Sequence, residues 1–292
     1  MARLRILHET RYDYDRPVRF GTHRLLIRPR DSHALRIVQA SLYVTPPGPT
    51  RWTYDANGNC VCLFNPRGES TSLSIISELI IDRFPAPLSP LRIDNPHTLT
   101  PIVYGREDHA TLAPFMAPVT DDPDAILLKW LRGLSGRMDE PALDFLLRVN
   151  SVIHQQFDYT TRYEQGVQSP LETLASGKGA CRDLAWLMVE GMRRLGYAAL
   201  FATGYLYSPR ASAVRGAGAT HAWCELFLPD LGWVEFDPTN GLAESPDLIR
   251  VATTRTPAQA LPVSGAILGD PGEARLHVSV DVALVDPVYE PA

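Results

Sequence analysis

Three side chains in this sequence could together do covalent chemistry: a thiol, an imidazole and a carboxylate, at Cys181, His221 and Asp237. Cys181 follows Gly177-Lys178-Gly179-Ala180. It precedes apolar residues at helical spacing (Leu184, Ala185, Leu187, Met188, Met192, Leu195), and Gly196 stops the run. A cysteine at a helix start meets free backbone N–H groups and the positive end of the helix dipole. Both favour thiolate over thiol, and the same N–H groups can hold an oxyanion forming beside the sulfur. Gly177 and Gly179 allow a tight turn and the close approach of a substrate. His221 lies in a β-type run, Thr220 to Leu228, where a neutral imidazole on a rigid strand can take the thiol proton. Asp237 ends the next run, Trp233 to Phe236, after the turn Pro229-Asp230-Leu231-Gly232. Antiparallel pairing of these runs brings their ends together, so Asp237 is expected to orient His221.

The other reactive side chains show weaker patterns. Cys224 is three residues from His221, which alternation puts on the opposite strand face, and it reads as structural. Cys60 and Cys62 share one face, but a metal would need two further ligands and no second pair is present. No metal and no cofactor are expected. The sequence has no His-Glu-x-x-His and no Gly-x-Ser-x-Gly, which leaves zinc-protease and serine-hydrolase readings without support. Asp183 falls in the first helical turn, where it either favours the dipole or lines the cleft. Trp223 and Trp233 read as core or cleft wall, and His154 as a helix-surface residue. The loops Arg162–Ser169 and Ser208–Ala219 are expected to flank the site, the second as a mobile, glycine- and alanine-rich gate.

Behind these residues the chain divides into a β part, a linker, a helical part and a second β part. Leu4, Ile6, His8, Thr10, Tyr12 and Tyr14 alternate at strand period, and further β-rich runs cover Arg36 to Thr45 and Ser70 to Asp82. Asn57-Gly58, between Trp52 and Phe64, is a strong hairpin signal. Residues Phe84 to Pro101 carry five prolines and read as a linker. Asp122-Pro123 predicts a helix start, with Ile126, Leu127, Trp130, Leu131 and Leu134 on one face. A second start at Asp139, with Pro141, predicts a stripe of Leu143, Leu146, Leu147, Ile153 and Phe157. A short helix is expected at Pro170 to Ala175, a strand at Ala198 to Tyr207, and a last strand at Arg275 to Val285. The order is α+β rather than alternating α/β. The expected units are 1–100 as an antiparallel β-sandwich-like domain, 101–265 as the reactive core of helices on an antiparallel sheet, and 266–292 as a terminal strand that can return to the first domain.

Bulk properties agree with an ordinary globular chain. Of 292 residues, 45% are hydrophobic and 21% charged, enough to bury a full core. A net charge of −5 argues against a nucleic-acid partner. The arginines Arg24, Arg28, Arg30 and Arg36 read as a solvated sheet face. Four cysteines do not make a disulfide framework, the N-terminus lacks an apolar h-region of signal-peptide length, and the most apolar stretch, Tyr197 to Tyr207, is far shorter than a membrane span. A cytoplasmic setting without membrane contact is the expectation.

Three segments carry a family resemblance: Gly179-Ala180-Cys181-Arg182-Asp183-Leu184-Ala185, His221-Ala222-Trp223-Cys224-Glu225, and Gly232-Trp233-Val234-Glu235-Phe236-Asp237-Pro238-Thr239-Asn240. They resemble the transglutaminase-like superfamily, the papain-fold group of transglutaminases and related cysteine peptidases. His8-Glu9-Thr10-Arg11-Tyr12-Asp13-Tyr14 and Leu25-Leu26-Ile27-Arg28-Pro29-Arg30 resemble the β region ahead of that core in bacterial members. The resemblance implies a Cys181–His221–Asp237 triad and an acyl-thioester intermediate on a peptide or protein substrate. It implies a cysteine peptidase or amidase, with acyl transfer to an amine or a catalytically silent binding module as alternatives. A papain-like site is also expected to draw an oxyanion donor from an upstream side chain, for which Gln155, Gln156 and Tyr159 are the candidates.

Overall fold

The computed structural model describes residues 2–84, 98–135, 140–162, 164–208, 215, 218–229 and 231–285. Strand β1 (Ala2–Phe20) buries Leu4, Ile6, His8 and Thr10, the alternate set that its sequence pattern marks. It pairs antiparallel with β6 (Glu69–Arg83), which in turn pairs with β3 (Leu35–Thr45). A second sheet holds β2 (His23–Leu25), β5 (Cys60–Phe64) and β4 (Thr50–Tyr54), with the Asn57-Gly58 turn between the last two. Val18, Phe20, Leu25, Ile27, Cys62, Phe64, Leu73 and Ile75 fill the space between the sheets, so this region is a β-sandwich.

The helices follow: α1 (Arg106–Met116), α2 (Ile126–Leu134), α3 (Ala142–Gln156), α4 (Pro170–Ser176) and α5 (Cys181–Arg194). They pack on an antiparallel sheet of β9 (Ala199–Leu206), β10 (His221–Leu228), β11 (Gly232–Asp237), β12 (Leu242–Ala243) and β13 (Leu248–Thr254), in the order β12-β11-β10-β9-β13. Between α3 and α4 runs β7 (Asp158–Tyr159), which pairs in parallel with β8 (Lys178–Gly179) just ahead of α5. The chain then returns to the first region. β14 (Val263–Ser264) joins β2, and both β15 (Ile267–Leu268) and β16 (Ala274–Leu284) join β1. The fold is α+β.

The two regions share a core. Leu4, Ile6, Leu35, Leu79 and Ile81 of the first sheet pack on Tyr205, Ile249 and Val251. At that junction His8 Nδ1 and the Tyr205 hydroxyl lie 3.1 Å apart, and the hydroxyl donates to the Ile27 carbonyl at 2.8 Å. No helix of the described residues is long and apolar enough to cross a membrane.

Some elements differ from the sequence expectation. The Asp122-Pro123 start is not one continuous helix. Pro123–Ala125 forms a 3-10 turn, Asp124 and Ala125 take φ of 60° and 52°, and α2 begins only at Ile126. The Asp122 carboxylate reaches across the kink to the N–H groups of Leu127 (2.9 Å) and Leu128 (3.1 Å). The kink rotates Ile126 outward, where it is 47% exposed. In α3 the buried stripe is Phe145, Leu146, Val149, Asn150 and Ile153, while Leu147 is exposed. Helix α1 and strand β13 carry no pattern that marked them. The linker expectation for 85–97 and the helix start at Asp139 lie outside the described residues.

Candidate active site

Helix α5 begins at Cys181 because Asp183 caps it from inside. Its carboxylate accepts the Ala180 N–H at 2.8 Å, closing the first turn. It also accepts the Gln168 N–H at 2.8 Å and the Arg162 guanidinium at 2.7 and 2.8 Å. Asp183 is fully buried, so it lies beneath the loop and does not line the cleft. On the preceding residue, the Arg182 guanidinium donates to the carbonyls of Arg162, Glu164 and Gly166. Arg162, Glu164, Gly166 and Gln168 are thereby clamped to the helix start that carries the thiol. A groove of about 650 Å³ lined by Arg162, Val167, Gln168, Glu172, Ala175 and Ser176 runs beside this clamp. Gly179 is required by packing: a Cβ there would lie 2.8 Å from the Asp183 Cβ.

The rest of α5 is a central helix. Every residue from Asp183 to Arg193 is buried. Glu190 is satisfied inside the core by Arg193 at 3.0 Å and by the Val119 and Thr120 N–H groups. Burial pushes its carboxyl up, but hydrogen bonds from Thr120 and the neighbouring arginines outweigh this, and it sits below its ordinary range. The helix therefore has one seating, and the position of Cys181 follows from it.

His221 opens β10, next to β9 on one side and β11 on the other. Cys224 faces Phe236 in the β10–β11 register, so Asp237 is a diagonal neighbour of His221 on the same face. The ring's Nε2 and the Asp237 Oδ2 are 2.8 Å apart, and both side chains are fully buried. Burial works against a charged ring. The Asp237 charge and hydrogen bond outweigh it, Cys181 adds to them, and the imidazole is raised to about 10. Asp237 is held below its ordinary value: burial opposes ionisation, but His221, Asn240 and Thr239 more than compensate. The ring's Nδ1 is buried and, apart from the Cys181 thiol whose interaction helps to raise the ring, meets no hydrogen-bond partner among the described residues. With Nε2 taken by Asp237, Nδ1 is the nitrogen left for the Cys181 thiol, which is itself partly exposed.

Trp223 backs the ring. It is fully buried, its indole lies 6.1 Å from the His221 ring at 26°, and its Nε1–H donates to Glu235 at 3.3 Å. Gly204 faces His221 across β9, and any side chain there is blocked. A Cβ would lie 2.0 Å from the Ile249 carbonyl oxygen and 2.9 Å from Trp223. Of the three upstream candidates, Tyr159 is the one brought near the thiol. The parallel β7–β8 pairing sets it opposite Gly179, and its hydroxyl is raised first by burial and then by the Cys181 charge. Gln155 and Gln156 are exposed at the end of α3, with the Gln155 amide on Ser151.

His154 is not a free surface residue: its Nδ1–H donates to the Thr239 carbonyl at 2.8 Å. The sequence reading also passed over Arg162, Gly204 and Asn240. Only Asn240 carried a signal, an Asp-x-x-Asn spacing typical of a hydrogen-bonded turn. In the 208–219 loop, residues 209–214 and 216–217 lie outside the described residues, and the gating expectation with them. Among the described residues no group of three or more His, Cys, Asp or Glu side chains could hold a metal ion.

Comparison with known proteins gives matches over most of the chain. Residues 4–82 match the bacterial transglutaminase-like N-terminal region, and residues 130–238 match the transglutaminase-like superfamily. An uncharacterized protein of Mycobacterium tuberculosis is 29% identical over 300 residues, covering 96% of this chain and 92% of its own length. One from Mycobacterium leprae is 26% identical over 286 residues, covering 97% and 99%. A crystal structure from Cytophaga hutchinsonii, described as a "putative cysteine protease", superimposes with a TM-score of 0.74 at 22% identity, over 99% of this chain and 93% of that one. That likeness shows a shared fold. With these two regions matched, the chain carries a transglutaminase-like core with the N-terminal region of the bacterial transglutaminase-like proteins ahead of it.

Proposed function

We propose that this chain is a thiol-dependent enzyme acting on peptide or amide bonds, with Cys181 as nucleophile, His221 as its base and Asp237 as the group that holds the ring. One observation carries the reading: His221 is bound through Nε2 to a buried carboxylate, while its Nδ1 has no partner other than the thiol of Cys181, a cysteine at a helix start. In this scheme Nδ1 holds the proton of the thiol in the resting thiolate–imidazolium pair, and the imidazolium is stabilised by Asp237. The thiolate attacks the carbonyl carbon. The imidazolium then hands its proton to the departing amine, leaving an acyl thioester on Cys181. Water, deprotonated by His221, releases the acid and restores the thiol. The Cys181 backbone N–H and the Tyr159 hydroxyl are the candidate donors to the oxyanion. The fold shared with a structure described as a cysteine protease supports hydrolysis over transfer. A reducing, cytoplasmic setting would keep the Cys181 thiol available for this chemistry.

The test is acyl-enzyme trapping from a peptide library, with and without an added amine, in wild type and Cys181→Ala. An acyl adduct on Cys181 that resolves to acid in both conditions is the expected result. Release mainly as the amine conjugate would make the chain an acyl transferase. Absence of any adduct would leave a silent binding module on the same fold.

A further inference from the structure

His221 is oriented by Asp237, so the orientation of Asp237 itself matters. A carboxylate turns readily about its last bond, because that torsion is broad and two-fold. Here each oxygen has two donors. Oδ1 accepts the backbone N–H groups of Thr239 (2.9 Å) and Asn240 (3.4 Å), which any residues in this turn could supply. Oδ2 accepts from His221 Nε2 and from the Asn240 side-chain Nδ2, both at 2.8 Å. The Asn240 amide is engaged at its other atoms too. Its Oδ1 accepts the Arg215 N–H at 2.9 Å, and its Nδ2 also reaches the Arg215 carbonyl oxygen at 3.3 Å. The amide thus spans from the carboxylate to the backbone six residues ahead of His221. A second connection runs through α3: His154 holds the Thr239 carbonyl, and the Arg215 guanidinium reaches the His154 carbonyl at 3.4 Å.

We propose that Asn240 is a positioning residue for this triad. Its NH2 sets the plane of Asp237 against the His221 ring, and its carbonyl ties the chain entering β10 to the same point. The inference rests on the roles given above to Cys181, His221 and Asp237. The residue type matters because the position needs a donor toward Asp237 and an acceptor toward Arg215, and a primary amide of this length supplies both. Aspartate would keep the acceptor and reverse the donor. Two carboxylates would then face each other, and one of them would hold a proton at neutral pH.

The experiment follows iodoacetamide alkylation of Cys181 by peptide mapping, from about pH 4 to about pH 9, on the intact protein. Wild type, His221→Ala, Asn240→Asp and Asn240→Ala are compared, with melting temperatures alongside. Asn240→Asp is expected to add a titration step to the rate profile and to slow alkylation near neutral pH by about tenfold, with a cooperative melt retained. A profile superimposable on wild type overturns the proposal. If Asn240→Asp does not fold, Asn240→Ala carries the test through a loss of about tenfold, and a folded Asn240→Ala within about twofold of wild type overturns it. The outcomes separate the two readings. If His221→Ala leaves the wild-type profile unchanged, the triad assignment fails. If His221→Ala changes it and the Asn240 variants do not, only the role of Asn240 fails.

Discussion

Replacing Asp237 by asparagine tests the site most directly, because the structure dictates which way the new amide must face. Two backbone N–H groups point at Oδ1, so that position has to remain a carbonyl oxygen. The NH2 is then forced onto the Oδ2 position, facing His221 Nε2. There it can only donate, so Nε2 must accept and the ring's single proton moves to Nδ1. A protonated Nδ1 cannot take a proton from the thiol. The expected loss in turnover is about 10⁴-fold, the scale of a triad whose histidine is held in the wrong tautomer. The same NH2 also meets the Asn240 NH2, so one hydrogen bond becomes a donor–donor contact worth about 1–2 kcal/mol of stability. Acyl-enzyme formation on Cys181 from the peptide library measures the first effect, and urea unfolding the second. Nitrogen NMR of the His221 ring reads the tautomer. Turnover within about tenfold of wild type, or a ring still protonated at Nε2, would refute the reasoning.

Three further outcomes are expected. Asp183→Ala leaves the Ala180 and Gln168 N–H groups without their acceptor and the partly buried Arg162 guanidinium without its nearest carboxylate, and should cost about 1–3 kcal/mol in urea unfolding, with faster proteolysis in the loop that Arg162 opens. Gly204→Ala should lower the melting temperature and slow Cys181 alkylation together, because the Cβ must displace β13 or the Trp223 ring behind His221; an unchanged melt would count against the packing given for β9. Glu235 is raised to about 8, by burial first and then by the charge of Glu225 opposite it, against the pull of Arg250. A carboxyl raised in the folded state stabilises fully below about 4.5 and loses that contribution as pH rises through about 8. Glu235→Gln should therefore remove a fall of about 1–3 kcal/mol between mildly acidic and alkaline pH. Parallel pH–stability curves for the two proteins would exclude this.

Much of the architecture is readable along the chain because its causes are local. The alternation from Leu4 to Tyr14 needs only the two-residue period of a strand, and the stop at Gly196 needs only the loss of a side chain at φ 87°. Asp122 shows where such reading ends. Its type and its proline neighbour signal a helix start, but the kink at Asp124 and Ala125 decides which N–H groups its carboxylate reaches. Asp183 shows the same limit. Its place in the first turn is evident from spacing, whereas its burial depends on a loop that folds back from Arg162 to Gln168.

By itself the sequence singled out the three candidate side chains and determined the helix start beneath Cys181 and the strands bearing His221 and Asp237, since each depends on residues within a few positions. Only the tertiary structure decided how they meet. The register of β10 on β11 makes Asp237 a diagonal neighbour of His221, and Nε2 is taken by the carboxylate so that Nδ1 is left toward the thiol. Gly204 must be bare because strand β13 passes against it, and Asn240 reaches both Asp237 and Arg215 across a gap of 25 residues in the chain. These are contacts between segments far apart in sequence, set by packing and strand pairing, and no local pattern of residues encodes them.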